Sequence, residues 1–98
     1  MIWPVEIRPV AATEIDEAYR WYEQERIGLG DEFLDALRAR LISIHEHPEQ
    51  YPVIHRQTRR ALLDRFPYAL YYRILPERVV VVACFHGRRS PRSWQSRR

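Results

Sequence analysis

Apolar positions follow two different periods along this chain, and the change of period separates extended from helical segments. Residues 3–8 alternate, with Val5 and Ile7 on one face, which is typical of a strand that Pro9 then ends. Pro4 lacks a backbone N–H donor, so it favours a place at a sheet edge or at a strand start. The chain is therefore predicted to open with a short strand.

A first helix is predicted to begin near Thr13 and to continue to about Arg26. Thr13 precedes Asp16 by three residues, a weaker relative of the capping box that marks helix N-termini. Helical spacing of three and four residues then relates the apolar positions Ile15, Ala18, Tyr19 and Tyr22.

Residues 28–30, Gly-Leu-Gly, interrupt that pattern and a second helix follows. Asp31 and Glu32 put negative charge in its first turn, where they complement the helix dipole, and Pro48 ends it. Its apolar stripe is formed by Phe33, Leu34, Leu37, Leu41 and Ile44. Because the connection is short, the two helices are predicted to lie antiparallel.

Three strands are predicted after a connector over residues 49–55, at 59–63, 68–75 and 78–86. The last strand is continuously apolar, which favours a central position in the sheet. The order strand, helix, helix and three strands predicts a single α+β domain over residues 1–98, with two layers: a helix hairpin packed on a mainly antiparallel sheet.

The middle strand should have one buried face and one partly open face. Leu70, Tyr72 and Ile74 fall on one side of it, while Tyr71 and Arg73 fall on the other together with Ala69.

Charge is distributed unevenly along the 98 residues. All 16 basic side chains are arginines and the net charge is +3. Residues 1–49 hold eleven of the thirteen acidic side chains, whereas residues 50–98 hold eleven of the sixteen arginines. Arginine binds phosphate and carboxylate in a planar, bidentate manner. The C-terminal half should therefore face an anionic partner, either nucleic acid or an acidic protein segment.

A single cysteine, Cys84, lies within an apolar run and cannot form an internal disulfide. A buried reduced thiol fits the cytosol. The N-terminus has no signal-peptide pattern, and no apolar run approaches the roughly 18–20 residues that span a bilayer. These features predict a soluble cytoplasmic protein that does not associate with membranes.

No acid pair, metal-ligand cluster or glycine-rich loop occurs in the chain, so neither a cofactor nor a metal is expected. The candidate chemistry lies in the cationic residues at strand ends. Those expected to contact a partner are Arg59, Arg60, Arg88, Arg89, Arg92 and the aromatic Trp94.

A set of short motifs in order along nearly the whole chain resembles the RelE/ParE superfamily of type II toxins. The motifs are Trp21-Tyr22, Gly28-Leu29-Gly30-Asp31, Phe33-Leu34, Pro48, Tyr51-Pro52, Arg59-Arg60, Leu62-Leu63, Phe66-Pro67-Tyr68, Tyr71-Tyr72-Arg73 and His86-Gly87-Arg88-Arg89. The resemblance implies a growth-inhibiting toxin that a small cognate antitoxin, ParD-like or other, neutralises in a hetero-oligomeric complex.

The superfamily contains two biochemical activities, and the resemblance allows them to be compared. RelE-type members cut messenger RNA on the ribosome, which requires groups that move protons and stabilise charge at phosphorus. Alignment of their pattern on Tyr68 puts Arg60 and Arg89 at cationic positions. Leu62 and Ala69 occupy two other positions that should be cationic, and Trp94 falls near a C-terminal tyrosine but has no hydroxyl group. The ribonuclease set is therefore incomplete.

ParE-type members share the fold without that set and inhibit DNA gyrase by stabilising its cleaved-DNA complex. The arginine-rich end of the chain, residues 86–94, resembles this branch more closely. We therefore favour a gyrase inhibitor that does not itself catalyse a reaction. The alternative is a ribosome-dependent mRNA endonuclease, for which Arg60, His86 and Arg89 would be the catalytic candidates. A third interpretation is an inactive relative that only binds its antitoxin.

Overall fold

The computed structural model describes residues 3–87, which form five strands, two α-helices and one 3₁₀ turn in this part of the chain. In chain order the elements are β1 (Val5–Ile7), α1 (Pro9–Glu25), α2 (Leu29–Glu46), the 3₁₀ turn (Pro48–Gln50), β2 (Val53–His55), β3 (Thr58–Leu62), β4 (Tyr68–Ile74) and β5 (Val79–His86).

The five strands form one sheet in the order β1-β5-β4-β3-β2. β1 pairs with β5 in parallel, and every other neighbouring pair is antiparallel. Both helices pack against one face of this sheet, which we call the helix face. The α+β class, the helix hairpin and the central position of the last strand are thereby confirmed. Within residues 3–87, neither helix has a stretch long and apolar enough to cross a bilayer.

Aromatic rings fill the centre of the core between the helices and the sheet. Tyr22 of α1 stacks on Phe33 of α2, with ring centroids 5.3 Å apart, and meets Phe66 edge-on at 4.9 Å. Phe33 also meets Tyr68 edge-on at 5.5 Å. Such offset and edge-to-face pairs contribute roughly 0.5–1.5 kcal/mol each beyond their burial. The apolar stripes predicted for both helices therefore face the same cluster.

The first helix begins earlier than the sequence pattern predicted. Pro9 is its first residue and Arg8 its N-cap, so Thr13 lies inside the helix and does not cap it. Proline is favoured at the first helical position, because its ring presets φ and its missing N–H donor would have no partner inside the helix there. The prediction treated Pro9 only as the end of a strand, whereas it also begins the next element.

The turn between the helices is closed by a carboxylate of α1. Glu23 accepts hydrogen bonds from the backbone N–H groups of Gly28 and Gly30, each at 3.0 Å. Gly28 has φ +92°, a left-handed conformation that favours glycine. A Cβ atom at Gly30 would lie 2.8 Å from the Tyr19 ring, so the helices approach too closely there for a side chain.

The predicted connector over residues 49–55 was wrong in part, because it contains the 3₁₀ turn and the edge strand β2. This segment is held by side chains distant in sequence. The Tyr72 hydroxyl donates to the Pro48 carbonyl, and the Arg59 guanidinium donates to the carbonyls of Glu49 and Tyr51 at 3.0 and 2.7 Å. Three-residue elements stabilised in this way leave no periodicity in the sequence.

The face of the sheet opposite the helices is buried, in contrast to the partly open face that was predicted. Tyr71 and Phe85 are each only 1% exposed. A bulge in β5 contributes to this arrangement: Tyr71 pairs with Ala83 while Tyr72 pairs with Val81, so Val82 is the extra residue. We call this face the second sheet face. Its buried residues are Ala69, Tyr71, Val80, Val82, Ala83 and Phe85.

Candidate partner-binding surfaces

The two adjacent arginines of β3 lie on opposite faces of the sheet and have different surroundings. Arg59 lies on the helix face, where it donates both of the carbonyl hydrogen bonds that hold the 3₁₀ segment. Arg60 pairs with Tyr71 of β4 and therefore lies on the second sheet face. Both were expected to contact a partner. Arg59 already has a structural role in the folded chain, and Arg60 contacts the Tyr71 hydroxyl.

Arg60 introduces positive charge beside a buried phenol. Burial raises the pKa of the Tyr71 hydroxyl, and the positive charge of the neighbouring Arg60 guanidinium partly opposes that rise. Arg73, on the same side of β4, donates to the Gln57 side chain at 2.8 Å. The second sheet face thus has buried aromatic rings at its centre and cations at its margin, and only these marginal cations are placed to attract an anionic partner.

Leu62 and Ala69 are direct partners across the β3–β4 ladder. Leu62 is 53% exposed, whereas Ala69 is completely buried. A cation at position 69 would have to be buried in an apolar environment, which is costly unless the charge is paired. The two positions that are cationic in the ribonuclease pattern are therefore adjacent and apolar here.

His86, the third candidate, lies on the helix face. Its ring meets that of Tyr68 at a centroid distance of 5.7 Å. Both rings line a cleft of about 380 Å³ between α1 and the end of β5, together with Trp21 and the carboxylates of Glu14 and Glu17. This cleft has both apolar and polar lining residues, and it is a candidate binding site for a segment of a partner protein.

The bulge at Val82 is the reason that His86 and Arg60 are separated. Plain alternation from Val79 would put His86 on the same face as Val80, and so on the face of Arg60. The extra residue reverses the alternation for the remainder of the strand, so His86 faces the helices. Arg60 and His86 thus do not share a site.

Cys84 is buried, as the sequence predicted. Burial in apolar surroundings, and after that the nearby Glu14 carboxylate, raise the pKa of its thiol to about 12. The reactive species of cysteine is the thiolate, which is scarce at neutral pH under these conditions. Glu14 also accepts the Cys84 backbone N–H at 3.1 Å, an interaction that connects α1 to β5 beyond the end of β1.

The remaining partner-binding candidates, Arg88, Arg89, Arg92 and Trp94, lie outside the residues that the structure describes. Among residues 3–87, no group of three or more His, Cys, Asp or Glu side chains is placed to hold a metal ion.

Sequence reasoning missed two features near these surfaces. Glu32 pairs with Arg26 at 3.0 Å and with Arg65 at 2.6 Å, and both interactions lower the pKa of its carboxyl group. The helix turn and the β3–β4 turn are joined in this way, although Arg65 lies 33 residues from Glu32. The second feature is Trp21, which is 54% exposed at the cleft although its helical spacing resembles that of core residues. The sequence did contain a signal for this exposure, because Trp21 directly precedes Tyr22, a buried position of the amphipathic helix α1.

Comparisons with known proteins agree with this architecture. Residues 5–91 match the family model described as the ParE toxin of the type II toxin–antitoxin system parDE. Among solved structures, the chain is similar to one described as the chromosomal ParDE toxin–antitoxin system from P. aeruginosa, with a TM-score of 0.66 and 14% identity. That similarity covers 87% of this chain and 96% of the other chain. A search of curated protein sequences finds no significant match.

Proposed function

The chain belongs to the ParE toxin family of type II toxin–antitoxin systems, and we propose that it arrests growth by inhibiting DNA gyrase until a cognate antitoxin neutralises it. The family match over residues 5–91 carries this proposal. The geometry of the ribonuclease positions supports it, because Leu62 and Ala69 are apolar and Arg60 and His86 lie on opposite faces. The toxin acts in the cytoplasm, where gyrase and the chromosome are found.

Inhibition by contact suits the distribution of charge. Arg60 and Arg73 provide cations on the second sheet face, and Arg88, Arg89 and Arg92 follow β5 directly. A gyrase complex with cleaved DNA presents phosphates and acidic side chains, which arginine binds by charge-assisted hydrogen bonds. The toxin needs no chemistry of its own for this, since it only has to bind the cleaved complex more tightly than the resealed one.

The antitoxin is a small acidic protein whose C-terminal segment is disordered when alone. The cleft lined by Trp21, Tyr68 and His86 has apolar surface for an amphipathic helix or an added strand. The arginines of the toxin pair with acidic residues of the same segment, which orders as it binds. Co-purification with the product of the neighbouring small reading frame tests this partner. Failure to co-purify at low salt would argue against it.

Purified protein incubated with gyrase, supercoiled plasmid and ATP tests the target. We expect linear DNA to accumulate with protein concentration, and we expect none when gyrase is omitted. Messenger RNA in induced cells should remain intact over the first minutes of growth arrest. Rapid loss of ribosome-bound mRNA without DNA breaks would instead identify a ribosome-dependent endonuclease. Normal growth of cells that accumulate the protein would identify an inactive relative.

A further inference from the structure

The cleft between α1 and the end of β5 combines acidic and aromatic side chains. Glu14, Glu17 and Trp21 are spaced by three and four residues, so they lie on one flank of α1. Tyr68 of β4 and His86 of β5 also line the cleft. Its volume of about 380 Å³ is near the lower end of the range for ligand pockets. The cleft therefore has room for one or two side chains of a partner, and not for a whole helix.

The aromatic rings of this cleft are oriented by the fold. The Trp21 ring meets the buried Tyr22 ring edge-on, with centroids 5.1 Å apart, and yet Trp21 is 54% exposed. Tyr68 is held by edge-to-face contacts with Phe33 and Tyr22, at 5.5 and 5.9 Å. Because the rings are fixed before a partner arrives, binding to them costs little side-chain ordering.

Two carboxylates give the cleft a local negative charge, although the net charge of the chain is +3. Glu14 is held in place, since its carboxylate accepts the Cys84 backbone N–H at 3.1 Å. Glu17 is exposed, and the nearest cation along α1, Arg20, pairs with Asp16 at 2.8 Å. The negative charge of Glu17 is thus not neutralised by an ion pair within its own helix.

We propose that this cleft binds an arginine side chain of the antitoxin segment, with the guanidinium group stacked on Trp21 and hydrogen-bonded to Glu17. Cations are attracted both to the face of an indole ring and to a carboxylate, and the planar guanidinium can make both contacts at once. An acidic side chain at the same place would be repelled by Glu14 and Glu17. The proposal rests on the proposed function for the identity of the partner, whereas the preference for arginine follows from the cleft itself.

A single arginine in an otherwise acidic segment would fix the register of that segment on the toxin. The acidic residues of the segment are attracted to the arginines of the toxin and are repelled at the cleft. A shifted segment therefore brings like charges together, which disfavours it relative to the correct register. The cleft contributes in this way to the choice of partner as well as to affinity.

The first test titrates the isotopically labelled full-length protein with Nα-acetyl-arginine methylamide and follows the indole N–H signals by NMR. The signal that is missing in Trp21→Phe should shift, with a dissociation constant in the millimolar range. The uncharged isostere Nα-acetyl-citrulline methylamide should bind about fivefold more weakly, because it lacks the charge for both contacts. Equal affinity for the two probes, or shifts confined to the other indoles, would overturn the proposal.

Two variants of exposed carboxylates on α1 locate the arginine site. Glu17→Gln should weaken binding of the arginine probe about threefold in low salt and should remove most of its salt dependence. Glu25→Gln changes a carboxylate outside the cleft and should leave the affinity unchanged. Both variants should fold normally, which thermal melting verifies, because exposed substitutions change stability little. Equal affinities of the two variants for the probe would overturn the proposal.

The second test uses the product of the neighbouring small reading frame. Its affinity for Glu17→Arg should be about tenfold lower than for the wild-type toxin in low salt, and the difference should narrow in about 0.5 M salt. A loss that salt does not change would overturn the proposal. Self-association of the wild-type chain that Glu17→Gln abolishes would also overturn it, because a second copy would then occupy the cleft. Failure of the product to bind the wild-type toxin would overturn the proposed antitoxin, whereas the arginine titration decides the chemistry of the cleft independently.

Discussion

Single side chains in this protein often satisfy backbone groups outside their own helix or strand. Glu23 shows this most clearly, because one carboxylate accepts two backbone N–H groups at the start of α2. The first N–H groups of a helix have no partner within it, so a side chain that accepts them replaces the usual capping residue. Gly28, the N-cap residue, has no side chain that could do so.

Replacing Glu23 by alanine should therefore destabilise the protein by about 1–2 kcal/mol, in the range of a lost helix cap. Urea denaturation followed by circular dichroism measures this loss. Glu25→Ala removes an exposed carboxylate from the same helix and should change stability by less than about 0.5 kcal/mol. Equal losses in the two variants would mean that the Glu23 hydrogen bonds do not stabilise the turn.

A buried thiol and a buried phenol with raised pKa values should make the stability of the folded protein fall at alkaline pH. Burial raises the pKa of both the Cys84 thiol and the Tyr72 hydroxyl to about 12, from ordinary values of 9.0 and 10.0. The unfolded chain loses these protons first, so the stability they contribute is complete below about pH 9 and declines as the pH rises toward 12.

We expect the urea midpoint to be constant from pH 7 to about 9 and then to fall steadily to pH 11. Cys84→Ala and Tyr72→Phe should each flatten the alkaline fall, because each removes one group that must stay protonated in the folded state. Both variants should have a lower urea midpoint than the wild-type protein at pH 7, so the slope of the midpoint against pH is the quantity to compare. Unchanged slopes in both would contradict this assignment.

At the scale of elements, β3 holds the chain segment before β2 through a single side chain. Arg59 donates two hydrogen bonds to carbonyls of residues 49 and 51, and the Tyr72 hydroxyl donates one to the Pro48 carbonyl of the same segment. Arg59→Ala should cost about 1.5–3 kcal/mol, the range for hydrogen bonds that involve a charged group. Thermal and urea denaturation provide the measurement.

Arg78→Ala is the matched control, since it removes an exposed arginine whose ion pair with Glu6 contributes at most about 1 kcal/mol. Any loss of toxicity in Arg59→Ala should then accompany its loss of folded protein and should be recovered at lower temperature. A fully stable but non-toxic Arg59→Ala variant would instead make this residue a direct contact with the target.

At the scale of the whole molecule, positive charge is concentrated away from the helix hairpin. Arg88→Ala combined with Arg89→Ala should reduce growth inhibition at least tenfold while leaving the melting temperature nearly unchanged, because arginine side chains rarely form part of an apolar core. Induced wild-type cells should filament, since blocked replication delays division. Viable counts, cell length and thermal melts provide the measurements.

Arg20→Ala combined with Arg38→Ala removes the same charge from exposed positions on the two helices and should remain fully toxic. Undiminished toxicity of a well-folded Arg88→Ala, Arg89→Ala variant would show that the toxic surface lies elsewhere on the molecule. Restoring the ribonuclease pattern with Leu62→Lys and Ala69→Arg should not be needed for toxicity.

The pattern of residues by itself determined the helix hairpin, the three main strands, the α+β class and the superfamily. Those features depend on local periodicity, on glycine and proline breakers and on motifs in fixed order, all of which are present in the linear chain. The short elements escaped prediction because the 3₁₀ turn and β2 have too few residues for a period and are held by Arg59 and Tyr72.

Only the tertiary structure decided which candidate residues share a surface. One extra residue at Val82 reverses the alternation of β5, so His86 joins Tyr68 and Trp21 while Arg60 remains on the opposite face. Bulges of this kind arise from pairing with a neighbouring strand, and nothing in the run of four valines marks its position. The burial of Tyr71 and Phe85 likewise could not be predicted, because sequence alternation specifies two faces without specifying how deeply each is buried.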